Sequence, residues 1–123
     1  MAEIDIKIED DLLIVTVTGN LSSDEIISVV KEYYPTGKIK NAIWDMLEGS
    51  AVTIKQQGFR DIAKAAKKST ANGFRQGGKT VYVGSKSVEY GICRMYTAIA
   101  EMTGVSVEYN VFRTLDEARA WLR

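Results

Sequence analysis

The sequence of 123 residues contains no histidine. Histidine is the base that activates the nucleophile in Ser-His-Asp and Cys-His sites, and imidazole is a ligand in the common zinc and iron sites. Its absence excludes those catalytic arrangements and every metal site built on imidazole. Because no other catalytic constellation is visible, we expect a protein that is not an enzyme and that needs no cofactor and no metal.

Cysteine is nearly absent as well, since Cys93 is the only one. A single cysteine allows neither an intramolecular disulfide nor a cysteine-rich metal site, and this composition fits a reducing compartment. Residues 1–11 are acidic and alternate in hydropathy, without the basic flank and apolar run of a secretory signal peptide. We therefore expect a cytoplasmic protein.

The chain also lacks net charge, because 16 Lys and Arg residues balance 16 Asp and Glu residues. Its longest apolar stretch, residues 12–17, is much shorter than the ~20 residues that cross a bilayer. We expect no nucleic-acid binding and no stable membrane insertion. With 46% hydrophobic and 26% charged residues, the composition is that of an ordinary globular protein. The length suits a single domain over residues 1–123.

The N-terminal third begins with two strand patterns. Three isoleucines alternate with charged residues over residues 4–8, and the apolar residues 12–18 follow a short acidic turn, which predicts an antiparallel hairpin. Ser22 with Glu25 forms a capping box that opens the first helix. We expect this helix to end at residues 35–37 (PTG).

Strands and helices then alternate. Residues 41–46 (NAIWDM) predict a short buried strand, and a Thr-x-x-Gln pattern at Thr53 and Gln56 predicts that the second helix begins near Thr53. A loop over residues 69–78, with turn signals at Asn72-Gly73 and Gly77-Gly78, leads to a strand at residues 79–84.

The third helix is predicted to be capped by Ser85 or Ser87 and to end at Gly104. Five apolar residues in it recur at helical spacing: Val88, Ile92, Met95, Ile99 and Met102.

The C-terminal unit, residues 106–122, gives the clearest local signals. Apolar and polar residues alternate over 107–112 as in a half-buried strand, and Thr114 with Glu117 forms a second capping box. The apolar spacing of residues 115–122 predicts a helix that folds back onto the sheet. The complete order is ββαβαβαβα, which predicts an α/β fold with a mixed, mostly parallel sheet packed by about four helices.

This order and three segments resemble the SpoIIAA-like family of small bacterial proteins, also described as STAS/SEC14-like. The segments are residues 44–49 (WDMLEG), 89–96 (EYGICRMY) and 111–122 (VFRTLDEARAWL). The resemblance spans essentially the whole chain and implies the STAS-like fold.

The resemblance also suggests two mechanisms. Anti-sigma-factor antagonists of the STAS class carry a phosphorylatable serine in an Asp-Ser-Ser/Thr-Gly-type motif after a strand. Here that junction reads DMLEGSA over residues 45–51, so the motif is absent and Ser50 and Thr53 are the nearby hydroxyls. SEC14-type proteins, which are larger, carry lipids in an apolar cavity.

Three candidate site residues, Asp45, Glu48 and Ser50, lie where a predicted strand ends and a helix begins. Open α/β sheets bind ligands at such ends, and a helix N-terminus favours anions. The structural alternative, which we favour, is that Asp45 accepts backbone N–H groups in the turn and that Ser50 or Thr53 caps the helix.

A second set of candidates lies in the third helix and the core. Tyr90 and Arg94, four residues apart, share a helix face, so Arg94 could hold a carboxylate or phosphate with Tyr90 stacked on the guanidinium. The alternative is a surface or inter-subunit contact, and Gly91 between them indicates close approach by another backbone or a ligand. Trp44 and Tyr33 could line an apolar pocket, although such residues are normally core.

Three functions follow from these observations. We expect first a noncatalytic STAS-like interaction module that binds a partner protein or pairs with itself as a homodimer, through the third helix and neighbouring loops. The alternative is a domain for a small apolar ligand or lipid, with an anionic headgroup at Arg94. A phosphoserine-switched anti-sigma-factor antagonist and an enzyme built on Asp45, Glu48 and Arg94 are weaker hypotheses.

Overall fold

The computed structural model describes residues 2–71, 77–105 and 107–123, and within these ranges the chain forms five strands, four α-helices and one short 3-10 helix (Tyr34–Thr36) that follows the first α-helix. The elements in chain order are β1 (Glu3–Glu9), β2 (Leu12–Asn20), α1 (Ser23–Tyr33), β3 (Asn41–Ser50), α2 (Gln56–Ser69), β4 (Lys79–Val83), α3 (Ser87–Thr103), β5 (Glu108–Phe112) and α4 (Leu115–Leu122). This order confirms the predicted ββαβαβαβα fold. The turn predicted at Asn72-Gly73 lies outside the described residues.

The five strands form one mixed sheet in the order β1-β2-β3-β4-β5. β1 pairs with β2 antiparallel, as the hairpin pattern predicts, and every later neighbour is parallel. Parallel neighbours need a crossover, and here each crossover contains a helix. The carboxyl ends of β3, β4 and β5 therefore point to one edge, where Ser50 ends β3 and α3 begins.

The helices cover the two faces of the sheet unequally. α1, α2 and α3 pack on one face, over a core that includes Leu13, Val15 and Trp44. α4 packs alone on the other face, where Ala118 contacts Val81 and its neighbours. The predicted return of the C-terminal helix onto the sheet is confirmed. Among the described residues, no helix combines the length and the apolarity needed to cross a membrane.

Side-chain caps explain two helix starts. The hydroxyl of Ser22 accepts the N–H of Glu25 at 3.2 Å while the Glu25 carboxylate accepts the N–H of Ser22 at 2.9 Å, a complete capping box. The hydroxyl of Thr114 accepts the N–H of Glu117 at 3.2 Å. Both caps were predicted from the spacing of a hydroxyl and a carboxylate.

The predicted starts of the other two helices were wrong. α2 begins at Gln56, three residues after Thr53, and its N-cap Lys55 makes no side-chain cap. The N-cap of α3 is Lys86, again without a side-chain bond, so neither Ser85 nor Ser87 caps it. α3 does end at Gly104, whose φ of 87° is the left-handed conformation that glycine adopts readily.

β3 is longer than the predicted strand, because it runs to Ser50 instead of ending at Met46. Its pairing with β2 shifts register between Thr16 and Thr18 and then continues to the pair of Asn20 with Ser50. The continuation requires Gly49, since a Cβ there would lie 2.8 Å from Cγ1 of Val17. Residues 47–50, which the sequence suggested as a loop, are therefore part of the strand β3.

Ile92 and Ile99 of the predicted apolar face are partly buried against the core, but they are not the centre of the buried face of α3. Its buried residues are Glu89, Cys93, Tyr96 and Ala100. The side with Val88, Met95 and Met102 points outward, and these residues are 60%, 41% and 87% exposed. The spacing therefore identifies the helix correctly, but of its five apolar residues only Ile92 and Ile99 lie on the side that packs against the core.

Candidate functional site

A buried carboxylate joins the end of β3 to the start of α3. The Ser50 hydroxyl donates to Oε1 of Glu89 at 2.6 Å, and the N–H of Ala51 donates to Oε2 at 3.1 Å. Ser50 Oγ in turn accepts the N–H of Val52 at 3.2 Å. We call the residues Ser50, Ala51, Val52 and Glu89 the Ser50–Glu89 clasp.

The hydrogen bonds of the clasp compensate for the burial of the Glu89 carboxylate. Glu89 is only 5% exposed, and a buried carboxylate is tolerated when both oxygens are hydrogen-bonded. Glu89 also lies in the first turn of α3, where the helix dipole stabilises a negative charge. Gly84 allows this approach, because a Cβ there would lie 3.3 Å from Glu89. The clasp therefore ties the loop after β3 to α3.

Sequence reasoning did not select Glu89 as a site residue. Glu89 and Ser50 lie 39 positions apart, and the bond between them depends on the parallel pairing of β3 with β4. The local signals were an acidic residue in the first turn of a helix and the preceding Gly84. These signals predict a helix start, not a partner.

Asp45 and Glu48 lie within β3 instead of at its junction with a helix, which corrects the predicted location. Oδ1 of Asp45 accepts the N–H of Leu47 at 3.0 Å, which is the local turn contact of the structural alternative. Glu48 is exposed and lies opposite Thr18 of the neighbouring strand β2. Within the ranges that the structure describes, no hydrogen bond connects either carboxylate to the Ser50–Glu89 clasp.

Two guanidinium groups lie near the ring of Tyr90. The Arg113 guanidinium carbon is 4.4 Å from the centre of the Tyr90 ring, and that of Arg94 is 6.0 Å away. Arg113 also donates from Nη1 to the carbonyl oxygen of Ser85 at 2.9 Å. The shared face predicted for Tyr90 and Arg94 is present, but the nearer cation is Arg113. It follows β5, the strand next to β4, so only the sheet topology brings it here.

Trp44 is a core residue. It is 1% exposed, and its indole N–H donates to the hydroxyl of Tyr34 at 3.0 Å. It does line an apolar cavity together with Phe59 and Tyr96, but the cavity measures about 30 Å³. Small-molecule sites span roughly 300–1,000 Å³, so this space is far too small for a lipid chain. Neither Tyr33 nor Arg94 lines it.

Burial perturbs the titratable groups beside this cavity. Burial, together with the nearby Glu89 carboxylate, raises the pKa of the Cys93 thiol to about 12. Burial likewise raises the pKa of Tyr96 well above the usual value. A thiol that stays protonated at neutral pH is a poor nucleophile. Among the described residues, no group of three or more Asp, Glu or Cys side chains could hold a metal ion.

The outer side of α3 carries an apolar surface. We call Val88, Met95 and Met102 the α3 ridge; they are 60%, 41% and 87% exposed. Val52 of the Ser50–Glu89 clasp, 56% exposed, adds a further apolar side chain near the start of the helix. Gly91 is exposed on the same helix, and a Cβ there would meet nothing within 4 Å. No contact within the described chain therefore requires a glycine at this position.

The sequence matches no protein-family model and no curated protein. Solved structures do resemble the chain over nearly its whole length. The unphosphorylated anti-sigma factor antagonist SpoIIAA has a TM-score of 0.58 at 10% identity, covering 100% of this chain and 98% of its own. An anti-sigma factor antagonist from Mycobacterium paratuberculosis has a TM-score of 0.57 at 15% identity, with coverages of 100% and 95%.

A third similar structure is an uncharacterised protein of the DUF3478 family from Shewanella loihica, which has a SpoIIAA-like fold. Its TM-score is 0.55 at 16% identity, and the match covers 99% of this chain and 94% of that protein. Together the three likenesses agree with the strand order and helix placement described above. The chain has the SpoIIAA-like, or STAS-like, α/β fold, which confirms the fold that the resemblance predicted.

Proposed function

We propose that this protein is a noncatalytic interaction module that binds a partner protein through α3 and the loop after β3. The observation that carries the proposal is the α3 ridge, where three large apolar side chains are exposed along one helix. Exposed apolar residues that are contiguous mark contact surfaces more often than scattered ones do. Methionine suits such a surface, because its unbranched side chain adapts to different partners.

The Ser50–Glu89 clasp supports the same surface. Its hydrogen bonds hold the loop after β3 against the first turn of α3, so Val52 and Val88 belong to two segments that the clasp joins. Fixing this loop before binding lowers the entropy lost on association. We therefore assign the clasp a positioning role.

The similar structures favour partner binding over chemistry. Two of the three are anti-sigma factor antagonists, a name that describes action on another protein. The 30 Å³ cavity gives less support to an apolar-ligand carrier. A phosphoserine switch at Ser50 also receives less support, because a phosphoryl group would carry up to two negative charges beside the Glu89 carboxylate.

Comparative affinity capture from cell extract tests this function. The baits are the wild-type protein, Met95→Asp, and Ile8→Asp as the control. Ile8 is 48% exposed, close to the 41% of Met95, but lies on the edge strand β1, far along the sheet order from the strands under α3. We expect the wild type and Ile8→Asp to retain the same proteins, including further copies of this chain, and Met95→Asp to lose them. Identical capture by all three baits would contradict the proposal.

A further inference from the structure

We propose that the partner of the α3 ridge is a second copy of this chain, with the two α3 helices packed antiparallel across a twofold axis. This inference rests on the proposed function, because it takes α3 as the interaction surface. Two features of α3 support it independently: large and small residues alternate along its outer side, and the charges on the flank of that side have opposite signs.

The first feature is a seven-residue repeat. The α3 ridge residues Val88, Met95 and Met102 recur at intervals of seven, and the small residues Gly91 and Ala98 lie three positions after the first two. This is the spacing of the two seam positions of a helix pair, one filled by large and the other by small side chains. All five residues are exposed.

The repeat is complementary to itself when reversed. In an antiparallel pair, each residue of the first seam position shares a layer with the second seam position of the other helix. One register places Met95 against the second copy's Ala98 and Met102 against its Gly91, and the twofold axis repeats both layers. Met95 and Met102 then each meet a small residue, which lets the helices approach closely, while Val88 faces the position just beyond the end of the second copy's α3 at Thr103.

The second feature is the pair of charges Arg94 and Glu101, which occupy the position that precedes the ridge residues in each repeat. Both are exposed, and neither forms an ion pair within the described ranges. In the register above, Arg94 faces the second copy's Glu101, and symmetry repeats the pair. Sliding the helices by one repeat instead opposes Arg94 to Arg94 or Glu101 to Glu101. Side-chain size alone also allows the register that places Val88 against Ala98 and Met95 against Gly91, so it is charge that selects the register.

The contact explains Gly91. Glycine within a helix is destabilising by about 1 kcal/mol relative to alanine. Nothing in the described chain lies where its Cβ would be, so no contact inside the monomer accounts for it. In the proposed dimer, the missing side chain leaves room for Met102 of the second copy.

The expected dimer is weak and reversible. A helix of 17 residues is about 25 Å long, and one helix pair lies toward the small end of protein interfaces. Dissociation within the concentration range of a normal sedimentation experiment is therefore the expected behaviour.

Charge reversal tests the register. Sedimentation velocity over a range of concentrations compares the wild type with Arg94→Glu, Glu101→Arg and the double variant that carries both changes. Each single change replaces two attractive pairs by two repulsive ones, so we expect the dissociation constant to rise by about tenfold or more. The double variant restores opposite charges and should return close to the wild type. Thermal melting of each variant verifies that the monomer is folded.

The outcomes separate the inference from the function on which it rests. A wild type that stays monomeric at the highest soluble concentration, or a double variant no better than the single ones, would overturn the antiparallel α3 dimer. If in that case Met95→Asp still loses a different protein in the capture experiment, the partner-binding function stands. If Met95→Asp changes nothing there, both proposals fail.

Discussion

Placing a negative charge at Ser50 should destabilise the fold by opening the Ser50–Glu89 clasp. The substitution Ser50→Asp sets a second carboxylate beside Glu89, which is 5% exposed and already accepts two hydrogen bonds. Ser50→Asn is the matched control, since asparagine has nearly the same shape without the charge. Both variants lose the hydroxyl that donates to Glu89, but the asparagine amide can still donate to that carboxylate, so their difference combines the added charge with one lost donor.

The magnitude follows from Coulomb's law. Two unit charges about 4 Å apart at an effective dielectric constant of ~20 repel each other by about 4 kcal/mol. Ser50 is half-buried, so solvent reduces this value, and we expect a difference of about 2–4 kcal/mol between the variants at pH 7. Typical domains are stable by ~5–15 kcal/mol, so Ser50→Asp should remain folded but clearly weakened.

Urea denaturation of both variants between pH 3 and pH 8 measures this difference. Repulsion between two carboxylates favours the protonated form of the introduced group in the folded state. Its destabilising effect is therefore greatest at high pH and fades as the pH falls from the raised pKa of the introduced carboxyl in the folded state to its value of about 3.9 in the unfolded chain. Equal stability of Ser50→Asp and Ser50→Asn at pH 7 would refute the reasoning, because the clasp would then be open in solution.

Three further predictions concern single positions. Gly91→Ala should raise the free energy of unfolding of the monomer by up to ~1 kcal/mol in urea denaturation at low protein concentration, because the added Cβ meets nothing within 4 Å; a loss of stability would mean that the position is closely packed. Tyr34→Phe removes the acceptor of the buried Trp44 indole N–H, so we expect a loss of about 1–3 kcal/mol in the same assay, and an unchanged stability would show that this bond is not formed. Cys93, whose pKa burial raises to about 12, should react with a thiol reagent at pH 8 about a hundredfold or more slowly in the native state than in denaturant, and similar rates would contradict the burial.

The fold could be predicted from sequence because its signals are local. Ser22 with Glu25 and Thr114 with Glu117 each satisfy backbone N–H groups within one turn, so spacing alone determines the helix start. The strand order also follows from local rules, since each helix between parallel strands brings the next strand beside the last. Where no side chain caps the helix, as at Lys55 and Lys86, the same reasoning assigned the wrong start.

The candidate site was harder to predict because its contacts are distant in sequence. Glu89 reaches Ser50 across 39 positions, and Arg113 reaches Ser85 across 28. Both contacts depend on the register of parallel neighbours, which no local pattern specifies. The sequence identified Ser50, Tyr90 and Arg94 as separate candidates. It did not identify Glu89, which binds Ser50, or Arg113, which lies beside Tyr90.

The orientation of α3 shows why hydrophobic spacing can mislead at a functional surface. Whether a side chain is buried depends on its fit and on its hydrogen-bond partners as well as on its hydrophobicity. A carboxylate and a thiol can therefore point inward, because Glu89 accepts hydrogen bonds there and Cys93 lines the small apolar cavity. Ile92 and Ile99 pack against the core, but the α3 ridge lies outside it, where the folding of one chain leaves the ridge exposed. When the apolar residues of a helix are not its buried ones, the helix exposes an apolar surface that a binding partner can bury. In this chain the disagreement falls on α3, where the alternation of large and small residues and the charges of Arg94 and Glu101 match a second copy of the helix.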